Sequence, residues 1–172
     1  MALALTLPIA TTGEPILTRV AKPVTEFNQQ LVQLTQQMLS TLLAAKGVGI
    51  AAPQVHSNMA VFIMASHPNE RYPDAPKMDP IVVINPSIIE QSSQQVIGEE
   101  GCLSIPNTRI NIARADQITV KYQTRYGQWQ QQTLRGFVAR IFLHEYDHLQ
   151  GITLLEREQI NALTQATIKD RK

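Results

Sequence analysis

An α+β fold, rather than a doubly wound sheet, follows from three observations. An amphipathic helical stripe comes early in the chain, several short β-like runs fill the middle, and a mostly apolar helical stretch follows them. At 172 residues the chain is expected to form one domain over 1–172, long enough to bury its own core. A hydrophobic content of 44% with 17% charged residues is that of a soluble globular protein.

Residues 25–45 carry Phe27, Leu31, Leu34, Met38 and Leu42, and steps of three and four put these on one helical stripe. Thr25, after Pro23, is the expected N-cap and Gly47 the expected stop. Nothing on this helix suggests chemistry. Strands are expected at 59–64, 81–84 and 118–122. Residues 66–80 hold four prolines among many polar residues, so they read as a surface loop. Residues 91–95 read as a polar turn, and 126–128 as a hairpin turn into a strand around 129–134. The stretch 137–149 reads as a mostly apolar helix stopped at Gly151, and the polar tail from about 156 to 172 as helical.

Fifteen basic residues against fourteen acidic ones leave a formal charge of +1, and no basic block of five occurs. That argues against a dedicated nucleic-acid binder. The N-terminus is apolar but has no Lys or Arg before Arg19, unlike the charged front end of a secretory signal. No stretch approaches the ~20 apolar residues of a membrane span. A cytoplasmic location is the expectation, with an organellar address left open.

The chemistry concentrates in His144-Glu-Tyr-Asp-His148, an H-E-x-x-H. On a helix the two histidines lie one turn apart on the same face, where both imidazoles reach one ion, and Glu145 stands beside them. Alone, the motif leaves two readings: a metal site, or two satisfied helix histidines with a surface Glu145. The apolar neighbours Ile141, Phe142, Tyr146 and Leu149 imply a buried helix, where two histidines and a carboxylate without a metal are costly. A metal that keeps one position open for water needs a third protein ligand. Downstream there are only Glu156 and Glu158 in a polar stretch, while His56 and His67 fall in turns and read as solvated. Cys102, the only cysteine, remains. By itself a lone Cys reads as a small buried apolar residue. Its setting, Glu99-Glu-Gly-Cys-Leu-Ser-Ile-Pro106, is expected to be irregular, with backbone groups free to face a ligand.

A third block, Gly47-Val-Gly-Ile-Ala-Ala-Pro-Gln54, reads either as a glycine loop leading into a buried strand or as a close-approach surface for a substrate. It is no phosphate loop, because no Gly-Lys-Ser/Thr follows. In this order and at these separations the three blocks resemble the peptide deformylase family, and the likeness runs from about residue 14 to about residue 157.

That resemblance implies short antiparallel sheets packed around the H-E-x-x-H helix, with the N-terminal amphipathic helix in addition. It implies Cys102, His144 and His148 as ligands of one divalent metal ion, Fe(II) in the cell. Zn(II), Ni(II) and Co(II) also suit such a donor set. It further implies removal of the N-formyl group from the initiator methionine of nascent peptides. Glu145 would take a proton from the attacking water and return it to the amine, with Gln54 and the Leu103 backbone N–H stabilising the oxyanion. Val48, Gly49 and Gly101 would hold the substrate backbone. Glu100 and Arg114 would pair behind Cys102, and Asp147 would either support a ligand imidazole or face solvent. The ribosome, near its exit tunnel, is a candidate partner for the polar tail.

Two positions depart from the family pattern: Leu143 stands where Gln is usual, and Arg140 where an apolar residue is usual. Arg140 lies four residues before His144, on the metal-facing side of the helix. It is expected to point toward the metal or the pocket for the first substrate side chain, narrowing that pocket or pairing with a carboxylate or carbonyl and so altering substrate preference; the other reading is that it snorkels to the surface. Two other readings stay open at this level: a metallopeptidase of the H-E-x-x-H type, and a non-catalytic binding protein with the same fold.

Overall fold

A computed structural model describes residues 5–171. The charge-free start noted above therefore lies partly outside the described residues, in Met1, Ala2, Leu3 and Ala4. Three helices and seven strands follow in the order α1 (Gln29–Ala44), β1 (Gly49–Ala51), β2 (Val61–Met64), β3 (Ile81–Gln91), β4 (Gln95–Cys102), β5 (Ile105–Ala115), β6 (Gln117–Gln123), β7 (Trp129–Arg135), α2 (Gly136–Leu149) and α3 (Leu154–Lys169). A 3-10 turn, Ala52–Val55, follows β1.

Five strands form an antiparallel sheet in the order β1-β2-β3-β6-β7, and β4 and β5 form a separate two-stranded hairpin. The fold is thus α+β with antiparallel sheets. Among the described residues no helix is long and apolar enough to cross a membrane.

The core divides on β2. Its continuous run Val61-Phe-Ile-Met64 is buried throughout. Phe62 and Met64 join Phe142 and Ile141 of α2, whereas Val61 and Ile63 join Leu31, Met38 and Leu42 of α1. Successive strand side chains point to opposite faces, so an unbroken apolar run is what a strand covered on both sides requires. Phe62 and Phe142 meet edge-to-face with centroids 5.0 Å apart.

The first helix starts later than expected. Asn28, not Thr25, is the N-cap: its Oδ1 accepts from the Leu31 N–H at 3.1 Å, leaving Phe27 ahead of the first turn. Asn28→Ala is expected to cost about 1 kcal/mol in a urea titration. The helix ends at Ala44 with Ala45 as its C-cap, and Gly47 lies two residues beyond that cap. Lys46 takes the left-handed conformation at φ 53°. The Gly47 N–H then bonds to Leu42 O and the Lys46 N–H to Leu43 O, which satisfies the last carbonyls.

One strand expectation is also corrected and another refined. β3 does not stop at Ile84 but runs on to Gln91, through Asn85 and Pro86, where the register with β6 shifts. Pro86 has no N–H, and at an irregularity in the ladder it removes no regular bond. The segment around Cys102, the end of β4 and the turn into β5, belongs to a hairpin, and the irregularity expected of it is a register shift between Gly101 and Cys102. Its strand pattern was hidden because Glu100 and Arg114 occupy buried positions, beside Cys102, Ile110 and Ile112.

α3 begins at Leu154 with a reciprocal cap, Thr153 N–H donating to Glu156 Oε2 at 2.9 Å and Glu156 N–H to Thr153 Oγ1 at 3.3 Å. Glu156 is therefore engaged in capping.

Candidate metal and active site

α2 turns one face to the sheet core and presents the other to the β4–β5 hairpin, so His144 and His148 meet Cys102 at the end of β4. One donor atom from each of the three lies within 4.8 Å of the others. Cys102 Sγ is 3.4 Å from His148 Nε2. His144 Nδ1 bonds to Glu100 Oε1 at 2.8 Å, which fixes its ring and leaves Nε2 as the free donor.

Burial alone would push the Cys102 thiol up, but the charges and hydrogen bonds of His148 and His144 outweigh it and hold the thiol well below its ordinary value. Burial likewise would lower His144, yet its bonds to Cys102 and Glu100 raise it well above the usual imidazole range. The cluster is built to keep a thiolate beside positive charge. One sulfur and two imidazoles, closely spaced and supported by a carboxylate, fit a divalent first-row metal.

Glu145 is buried among these groups, and its Oε2 has no hydrogen-bond partner in the structure. Burial pushes its carboxyl up to about 7, against the opposing pull of His144 and His148. β1 passes so close that a Cβ on Gly49 would fall on Glu145 Oε1 and lie 3.0 Å from its Cγ and Cδ. Only glycine lets the strand approach the carboxylate in this way.

Gln54, in the 3-10 turn, is pinned at both ends of its amide. Oε1 accepts from the Ala51 N–H at 2.9 Å, while Nε2 donates to Ser104 Oγ at 3.1 Å and contacts Cys102 Sγ at 3.6 Å. A cavity opens over this group, lined by Val48, Gly49, Tyr72, Leu103, Phe137 and Ile141.

Behind the site lies a buried ion cluster. Glu100 Oε1 accepts from Arg114 Nη2 at 2.8 Å as well as from His144, and its Oε2 accepts from Arg114 Nε at 2.9 Å and Arg140 Nη1 at 2.7 Å. Burial would raise this carboxyl, but the Arg114 and His144 bonds hold it well below the usual carboxylate range. Asp147 neither faces solvent nor touches an imidazole. It accepts from Arg114 Nη1 at 2.7 Å and from Arg157 at 2.6 and 2.9 Å.

Arg140 lies at the cavity, as expected from its helix face. Its guanidinium is spent on Glu100, on Ile112 O at 2.9 Å and on Val96 O at 2.8 Å. The carboxylate it meets belongs to the protein, so it has no free fork to offer a substrate. The Gly101 N–H is also engaged, donating to the Tyr72 hydroxyl at 2.9 Å. Tyr72 and Phe137 went unnoticed in the sequence. Their rings pack with centroids 4.9 Å apart at the cavity, yet Tyr72 sits in a proline-rich loop with no local signal. His56 is exposed beside Glu14, and His67 Nδ1 lies 2.8 Å from Ala65 O, so both belong to other surroundings.

The model of the polypeptide deformylase family matches residues 6–165. The chain is 60% identical over 154 residues to peptide deformylase 2 of Shewanella oneidensis, covering 90% of this chain and 85% of that protein. It is 46% identical to peptide deformylase 2 of a Nostoc species, covering 92% and 89%. Among solved structures it resembles the class I type b peptide deformylase of Acinetobacter baumannii with Met-Ala-Ser bound. The TM-score is 0.87 and the identity 48%, over 90% of this chain and 99% of that one.

Proposed function

The chain belongs to the polypeptide deformylase family of enzymes, and from that premise we propose that it removes the formyl group from the initiator methionine of new polypeptides, releasing formate, with a divalent metal held by Cys102, His144 and His148. The observation that carries the reading is the set of three donors within 4.8 Å of one another, with Glu145 in the same helix as the two histidines. A cation held there supplies Lewis acidity, polarising a carbonyl and making water acidic enough to attack near neutral pH.

The protein's own groups do the rest. Glu145 Oε2, free of other partners, accepts a proton from the attacking water and returns it to the departing amine. Gln54 spends one Nε2 hydrogen on Ser104, and the other makes only the long contact to sulfur. That second hydrogen turns to the developing oxyanion, with the Leu103 N–H as its companion. β1 is an edge strand, so Gly49 has one side open for extended substrate backbone, and Val48 lines the same wall. The methionine side chain enters the cavity over Tyr72, Phe137 and Ile141.

Gly49→Ala tests the close approach of β1. Its methyl must displace the Glu145 carboxylate. A fall in kcat of roughly 10²-fold is expected, without loss of folded protein by circular dichroism.

Fe(II) is the metal proposed in the cell, which makes the activity oxygen-sensitive, and the whole chain acts as one catalytic domain. The bacterial relatives support a cytoplasmic setting. α3 leaves Leu163 and Ile168 exposed, which supports a partner on that helix; the ribosome near its exit tunnel is the one proposed.

The deciding experiment is anaerobic purification with metal analysis, then a formate-release assay on formyl-Met-Ala-Ser beside unblocked and internally cleavable peptides. Stoichiometric metal with formate release from the blocked peptide alone supports the reading. Cleavage of internal bonds without formate would make the protein a metallopeptidase instead.

A further inference from the structure

We propose that Arg140 is a positioning residue of the metal site, clamping the hairpin that carries Cys102 onto the helix that carries both histidines. The inference rests on the metal-site reading above and goes beyond it, because Arg140 is not one of the three donors.

Three contacts make the clamp. From α2, one turn before His144, the guanidinium reaches Val96 O on β4, Ile112 O on β5 and Glu100 Oε2 between them. It therefore grips both strands of the hairpin and the carboxylate that orients His144. The hairpin has no strand pairing with the five-stranded sheet. An isolated two-stranded hairpin is marginal in water, so whatever attaches it to the body of the protein sets the position of Cys102. Its apolar attachment is small: Ala115 in the main core, and a separate cluster of Cys102, Ile110, Ile112 and Leu154 with Ile105 against them.

Gly98 is cut to the shape of this clamp. A Cβ there would lie 2.8 Å from Arg140 Cζ, 2.9 Å from Nη2 and 3.0 Å from Nε. The guanidinium lies flat on bare backbone at the middle of β4, and no other residue leaves it room. Arg140 and Gly98 form a matched pair.

Arg114 already meets both oxygens of Glu100, so neutralising that carboxylate does not call for another cation. What Arg140 adds is the tie from that carboxylate to the carbonyls of both strands. Arg140 thus acts on the site through position, by way of the hairpin and Glu100.

The test uses the whole protein loaded with Co(II), with three readouts: the rate of metal release to a chelator, the visible spectrum of the bound cobalt, and KM against kcat on formyl-Met-Ala-Ser. Arg140→Met, which keeps the stem and loses every bond, is expected to speed metal release 10- to 100-fold. It should also shift the cobalt bands while leaving KM within about twofold. Arg140→Lys, which restores the charge but not the three-way grip, should fall between. Gly98→Ala, which keeps every charge and crowds the guanidinium, should move release and spectrum in the same direction. It decides the matter if Arg140→Met does not fold.

Unchanged release and spectrum in folded Arg140→Met, or in Gly98→Ala, would overturn the proposal. So would a raised KM with kcat and release unchanged, which would make Arg140 a wall of the substrate pocket. Failure of the underlying metal reading looks different: wild-type protein would then bind no stoichiometric Co(II), whatever stands at position 140.

Discussion

Glu145→Gln is expected to lower kcat for formate release by roughly 10²–10⁴-fold, the usual worth of a positioned general acid/base. The amide has the shape of the carboxyl group but cannot accept the proton of an attacking water. Metal content should be unchanged, because the proposed donors are Cys102, His144 and His148 and Glu145 is not among them. Folding should survive as well. Oε2 has no hydrogen-bond partner to lose, and a neutral side chain suits a site that already pushes the carboxyl up to about 7. Metal analysis beside steady-state kinetics separates the two effects. A Glu145→Gln enzyme within about tenfold of wild type would remove Glu145 from the chemistry.

The largest stability effect should come from Glu100→Ala. Glu100 is 2% exposed and receives four hydrogen bonds: two from Arg114, one from Arg140 and one from His144. Truncating it leaves the buried Arg114 with Asp147 alone and Arg140 with only backbone carbonyls. Breaking a buried pair from one side costs about 3–5 kcal/mol, since the stranded charge cannot recover its hydration. The denaturant midpoint should fall accordingly. His144 would also lose the acceptor for its Nδ1, so metal affinity should drop a further 10–100-fold. A loss of less than about 1 kcal/mol would mean that water enters the cluster and solvates the arginines.

These two residues mark what the sequence could and could not reveal. His144, Glu145 and His148 were legible because one helical turn is a fixed spacing, and an i, i+4 pair must share a face. Cys102 entered by elimination of other donors, and the family resemblance then made it the expected third ligand. The hairpin around it was not legible, because strand recognition rests on apolar alternation. Here the inward positions include Glu100 and Arg114, whose burial makes sense only once each other's charge is in place. For Arg140, helical periodicity put the residue on the correct face but said nothing about the end of a long side chain. The glycine that receives its guanidinium is forty-two residues away, at position 98. Asp147 shows the same limit, since its partners Arg114 and Arg157 lie on β5 and α3.

The separation of β4–β5 from the main sheet carries a consequence for how the protein breathes. Proteins open locally in cooperative units, and a unit without ladder bonds to its neighbours opens at lower free energy than the sheet beside it. Swinging the hairpin out would take Cys102 from the histidines, so local opening and loss of the metal become one event. Ligand bound only by the closed form then stabilises this unit by RT ln(1 + [M]/Kd), and raises the free energy of global unfolding, which also frees the metal, by the same amount. Amide hydrogen exchange should report it directly. Protection across residues 95–115 should rise with free metal concentration, while β2, β3 and β6 exchange at rates set by global unfolding.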